Sequence, residues 1–96
     1  MKESVFQRGL IRELKERFPE CVVLKNDANY IQGIPDLLVL YKNRWAALEC
    51  KQTVSSNRRP NQEYYIDKMN DMSFARFICK ENKKEVLDEL QHAWEP

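Results

Sequence analysis

Gly33-Ile34-Pro35-Asp36-Leu37-Leu38-Val39-Leu40-Tyr41, then Lys42-Asn43-Arg44, then Trp45-Ala46-Ala47-Leu48-Glu49-Cys50-Lys51, is the stretch whose reading decides the fold. Two apolar runs, Asp36 to Tyr41 and Trp45 to Lys51, joined by a polar tripeptide, predict a β-hairpin. Strand side chains alternate faces, so Glu49 and Lys51 point the same way, roughly 7 Å apart along the strand, and Cys50 points the other way into apolar packing. A short turn sets the head of one strand beside the end of the next, which brings Asp36 alongside that pair.

Upstream, Phe6, Leu10, Ile11, Leu14 and Phe18 recur at helical spacing from about Ser4 to Phe18, where Pro19 stops the pattern. Cys21-Val22-Val23-Leu24 predicts a first strand, followed by a polar loop from about Asn26 to Gly33. Downstream, Gln52 to Arg59 is a polar loop, and Pro60 opens a helix to about Asn70 with Tyr65, Ile66 and Met69 on one side. Phe74 to Cys79 predicts a short strand. The last helix begins after Asn82 as N-cap, with Glu85 close to a capping box and Val86, Leu87 and Leu90 on one face. The order α-β-β-β-α-β-α argues for a single α/β domain over residues 1–96, a mixed sheet flanked by helices.

The chain has 96 residues, 43% hydrophobic and 32% charged, with two Gly and four Pro, a composition that folds rather than stays disordered. No apolar run approaches a membrane span and no signal-like stretch opens the chain, so a cytoplasmic, intracellular protein is expected. Cys21, Cys50 and Cys79, odd in number and set among apolar residues, suit free thiols better than a disulfide framework. The net charge of +1 announces no nucleic-acid partner, so any such surface must be local. The single histidine, His92, lies among polar neighbours and reads as a surface residue. Histidine-based triads and zinc sites would all have to depend on it. Gly9 and Gly33 make no phosphate-cradling loop.

Two carboxylates are hard oxygen ligands suited to Mg²⁺ or Mn²⁺, and a neighbouring ammonium can orient water and offset charge on a phosphoryl group. Asp36, Glu49 and Lys51 therefore form a set for phosphodiester hydrolysis; as a bare surface cluster the Glu49–Lys51 pair would be worth little. At 100° per residue Glu3 falls in line with Phe6, Leu10 and Leu14, and Gln62 shares a face with Tyr65, Ile66 and Met69. Each is a polar residue aimed at the core side and wants a partner there.

G-I-P-D-L-L-V-L followed by A-L-E-C-K resembles the PD-(D/E)XK nuclease superfamily. With R-P-N-Q opening a helix, the chain looks like the VRR-NUC branch, which includes small stand-alone phage proteins. The resemblance implies a restriction-endonuclease-like αβββαβ(α) core in which Asp36, Glu49 and the main-chain carbonyl of Cys50 bind Mg²⁺ or Mn²⁺. It further implies that Lys51 is the catalytic lysine, that Gln62 supports it, and that Glu3 is the first helix's acidic residue. Small members are similar to Holliday-junction resolvases, so the resemblance implies a homodimeric DNA endonuclease acting on branched DNA. Nuclease action on linear or nicked DNA, and a non-catalytic DNA-binding module, remain as alternatives.

Arg58 and Arg59, with Ser55, Ser56 and Asn57, follow directly from the active-site strand and read either as phosphate contacts or as a solvated loop. For Tyr64, Tyr65 and Trp45, core or dimer packing is preferred over base stacking, and for Trp94 packing is preferred over function.

Overall fold

In the computed structural model, which describes residues 2–96, Pro19 ends the first helix, α1 (Glu3–Arg17). The residue before a proline is pushed out of the helical region, and Phe18 accordingly sits at φ −125°, ψ 77°. The remaining elements are β1 (Val22–Lys25), β2 (Leu37–Tyr41), β3 (Arg44–Cys50), α2 (Pro60–Met72), β4 (Ala75–Ile78) and α3 (Lys83–Trp94), in the expected order. They build one four-stranded sheet, β1-β2-β3-β4, antiparallel across its first two pairs and parallel between β3 and β4. Parallel neighbours need a crossover connection, and α2 supplies it.

The hairpin turn is shorter than the tripeptide the sequence suggested. Arg44 pairs with Tyr41 inside the ladder, so Lys42 and Asn43 alone make the turn. Lys42 adopts φ 56°, the positive value a two-residue hairpin turn requires at its first central position to match the twist of its strands.

α1 and α3 cover one sheet face. Phe6, Leu10, Leu14 and Phe18 bury against Leu37, Val39, Leu48 and Cys50 of the sheet and against Val86, Leu87, Leu90 and Trp94 of α3. At the far end Phe18 lies 5.2 Å from Tyr41 and 4.9 Å from Trp94, centroid to centroid. Trp94 thus packs, as expected, and His92 is exposed. The three cysteines are free and buried.

The opposite face is covered unequally. Ile66 of α2 packs on Ala47 and Ala75, with Trp45, Met69 and Phe77 around them. That cover reaches only the β3–β4 half, so Val22, Leu24 and Leu40, which share this face across the β1–β2 pair, stay 51%, 44% and 37% exposed. Helices therefore flank both faces, but α2 is too short and too far to one side to shield β1.

Asn82 is the N-cap residue of α3, as expected, but its side chain does not cap the helix. Asn82 spends its amide on the end of β4, Oδ1 accepting from the Cys79 N–H at 2.8 Å and Nδ2 donating to the Phe77 carbonyl at 3.2 Å, and makes no side-chain cap bond. Among the described residues no helix is long and apolar enough to cross a membrane.

The aromatic cluster at the far end carries a testable weight. Phe18→Ala, which removes a ring with no solvent exposure, should lower unfolding free energy by about 3–5 kcal/mol in urea titrations. Val22→Ala on the open half of the sheet should change it by less than about 1 kcal/mol.

Candidate functional site

Extending the β2–β3 register one step beyond the Leu37–Leu48 pair sets Asp36 opposite Glu49, and a further step sets Pro35 opposite Cys50. Proline has no N–H to continue the ladder, so the pairing changes character here. The Asp36 N–H donates to Glu49 Oε1 at 3.1 Å, and the Cys50 N–H donates to Asp36 Oδ2 at 2.9 Å. Each carboxylate is thus held by a backbone amide of the other's strand. Asn26 fixes the bend from outside, its N–H on the Asp36 carbonyl and its Nδ2 on the Pro35 carbonyl, both at 2.8 Å.

The first turn of α2 closes the site from above. Gln62 Nε2 donates to Glu49 Oε2 at 3.0 Å, while Gln62 Oε1 accepts from Lys51 Nζ at 2.8 Å and from the Arg59 N–H at 3.1 Å. One amide therefore caps its own helix and joins the acid to the ammonium. Lys51 Nζ lies 3.9 Å from Glu49 Oε2, and the Lys51 N–H donates to the Ile78 carbonyl at 2.9 Å, anchoring the chain just past β3.

Glu49 is 5% exposed, the one buried charged side chain among the described residues. Burial, and next the neighbouring charge of Asp36, push its carboxyl up to about 7; Lys51 and the Asp36 N–H pull the other way. Burial also raises Asp36, opposed by the Cys50 N–H and then by Lys51. Burial is the main cause for both acids, and the Lys51 ammonium, which also bonds the Gln62 amide, offsets it only in part. Their oxygens are hard donors, and the end of the ladder at Pro35 leaves the Cys50 carbonyl without a strand partner on the same side, a donor set that suits Mg²⁺ or Mn²⁺.

The Cys50 thiol is no ligand: it faces the α1 core, fully buried, and burial with the two acids pushes it up to about 12. Glu3 does not join either. The buried stripe of α1 starts at Phe6, and Glu3 on the first turn stands in solvent, contributing its charge to Glu49 from outside. Among the described residues no group of three or more His, Cys, Asp or Glu side chains converges.

The loop residues separate. Arg59 lines the site cavity. The Arg58 guanidinium lies 4.1 Å over the Phe77 ring instead. Ser55 and Ser56 hydrogen-bond Thr53 within their own turn, Ser56 Oγ accepting its N–H at 3.0 Å. Tyr64 and Tyr65 pack edge-to-face on each other, and Trp45 is half-buried against the α2 core.

The cavity over Asp36 and Glu49 holds about 240 Å³ and is bounded by Gln62, Arg59, Asn61 and Gly33. Larger clefts lie elsewhere, but this one contains the buried acid. Gly33 and Asn61 are members the sequence reading missed. Gly33 sits at φ +90°, and a Cβ there would lie 2.7–2.8 Å from Asn61 at the start of α2. One of only two glycines, placed two residues before Pro35-Asp36, was the available signal.

Compared with known family models, curated proteins and solved structures, the chain gives no match.

Two outcomes follow from this geometry. Because the folded-state pKa of Glu49 lies above its ordinary value of 4.5, the folded protein binds more protons than the unfolded chain between that value and about 7. Stability is therefore fully present below the lower value and declines as pH rises through the upper one. Urea unfolding of metal-free protein should show a loss on the order of 3 kcal/mol across that window, and Glu49→Gln should flatten it. Gly33→Ala, strained in φ and crowding Asn61, should destabilise by more than about 1 kcal/mol in the same assay.

Proposed function

We propose that this chain is a divalent-cation-dependent DNA nuclease of the PD-(D/E)XK type, with a restriction-endonuclease-like core and motifs that resemble those of the VRR-NUC branch. The observation that carries the reading is the chain of contacts Asp36, Glu49, Gln62, Lys51. Two acids at adjoining strand ends share one pocket, and a helix-start amide joins the buried acid to the neighbouring ammonium. These residues come from the three motifs, G-I-P-D, E-C-K and R-P-N-Q, on which the resemblance rests.

Asp36, Glu49 and the Cys50 carbonyl would hold Mg²⁺ or Mn²⁺, which supplies Lewis-acid activation and neutralises phosphoryl charge when bound. Lys51 Nζ, oriented by Gln62 Oε1, presents a hydrogen-bond donor and positive charge where a phosphodiester oxygen gains negative charge. Gln62 Nε2 occupies Glu49 Oε2 and keeps that carboxylate turned into the cavity. A binding module would have no reason to maintain two acids and a lysine joined through one glutamine amide.

Branched DNA as substrate and a homodimer as the acting form belong to the same proposal. They are supported by the sequence resemblance alone.

Incubation of labelled four-way junctions with protein and Mn²⁺ or Mg²⁺ should give metal-dependent strand cuts abolished by EDTA. Asp36→Ala, Glu49→Ala and Lys51→Ala should each lower the single-turnover rate by about 10²-fold or more while retaining the fold by circular dichroism. Intact junctions and intact linear arms in both metals, at protein excess, would sink the reading; cutting the arms as fast as the junction would sink its branched-DNA part alone.

A further inference from the structure

A second cleft, of about 450 Å³, lies between α1 and the start of α3, away from the acidic cavity. Arg8 and Arg12 rise from one side, Lys80 and Lys83 from the other, over a floor that includes Val5 and Phe6. No acidic side chain lines it. Lys83 is paired, its Nζ 2.9 Å from Glu13, whereas Arg8, Arg12 and Lys80 are exposed and make no ion pair among the described residues. In a chain of net charge +1, such separation of charge calls for an anionic partner. The cleft of similar size between α2, β4 and α3 is of mixed charge by contrast, with Glu63, Asp67, Glu85 and Glu89 facing Arg58 and Arg76.

Gly9 provides an independent sign. It occupies the interior of α1, where glycine weakens a helix, and a Cβ added there would meet nothing within 4 Å. Nothing in the packing requires its small size. A bare helix backbone between Arg8 and Arg12 does allow an extended ligand to approach closely.

The cleft opens at the same end of the sheet as Lys51. The Lys51 N–H bonds the Ile78 carbonyl, two residues before Lys80, and the Val54 N–H donates to Glu81 Oε2 at 3.0 Å, tying the loop that follows Lys51 to the residue after Lys80.

We propose that this cleft is a phosphate track that holds the backbone of a DNA strand running on from the cavity over Asp36 and Glu49. The direction of the strand rests on the nuclease reading; the binding of DNA phosphates to the cleft does not. Arg8 and Arg12, one helical turn apart on the same side, grip one edge of the backbone, Lys80 and Lys83 the other, and Gly9 lets it lie against α1.

Fluorescence anisotropy with a labelled DNA four-way junction and a matched duplex, in EDTA so that nothing is cut, tests this over a salt series. The double variant Arg8→Ala/Arg12→Ala should weaken binding by on the order of tenfold or more at about 0.1 M salt and flatten the log-affinity against log-salt slope by roughly 2, two phosphate contacts being lost. Gly9→Leu, which removes a helix-weakening residue and leaves the fold intact, should weaken binding without flattening the slope as much. Lys15→Ala, on α1 outside the cleft, should behave as wild type. Wild-type affinity and slope in both cleft variants would overturn the track, even if Asp36→Ala abolishes cutting and so upholds the nuclease. Weakened binding in the cleft variants would uphold the track even for a protein that cuts nothing, and a wild-type protein that binds neither DNA overturns it outright.

Discussion

A carboxylate under the first turn of α2 sets the terms for everything around it. Burying Glu49 is unfavourable unless each of its oxygens is met, and the two partners that meet them come from different parts of the chain. The Asp36 amide arrives because Pro35 ends the strand ladder one residue early, and the Gln62 amide arrives because Pro60 starts a helix at that height. Lys51, the cavity and the close approach of Gly33 to Asn61 all follow from holding that one acid in place.

Much of this was legible because it is local. Period-two alternation placed Glu49 and Lys51 together and turned Cys50 away, Pro19 and Pro60 marked helix ends by their covalent geometry, and helical spacing turned Gln62 inward. What escaped was decided across the fold. Asn82 has the right residue type and position for a cap, but the adjacent end of β4 offered its amide two backbone partners at once. Glu3 shares the angular position of Phe6 and Leu10, yet the buried stripe begins a turn later, and angle carries no information about where the core stops. Arg58 and Arg59 are neighbours in sequence with different fates, the first lying over the Phe77 ring and the second lining the cavity.

The same limit applies to the sheet. The run Val22-Val23-Leu24 has the character of a buried strand, and α1 covers Val23, but nothing in the composition of α2 says how many strands a thirteen-residue helix can cover. Gly33 is the opposite case. Its small size is unremarkable in a polar loop, and its purpose emerges only once the loop is seen pressed against a helix that begins nearly thirty residues later.

Because β3 and β4 lie parallel, the strand bearing Glu49 gains its outer neighbour only after the chain has travelled through α2 and back. The β2–β3 hairpin can close from residues a few positions apart and brings the Asp36 amide to Glu49, while the second partner, the Gln62 amide, comes from the slower, non-local crossover. In a folding chain the acid would therefore gain its second partner only once α2 docks on the sheet. The site is in this sense a latch on the order of folding, and substitutions that stabilise it should act chiefly on the rate of unfolding rather than on the rate at which the hairpin nucleates.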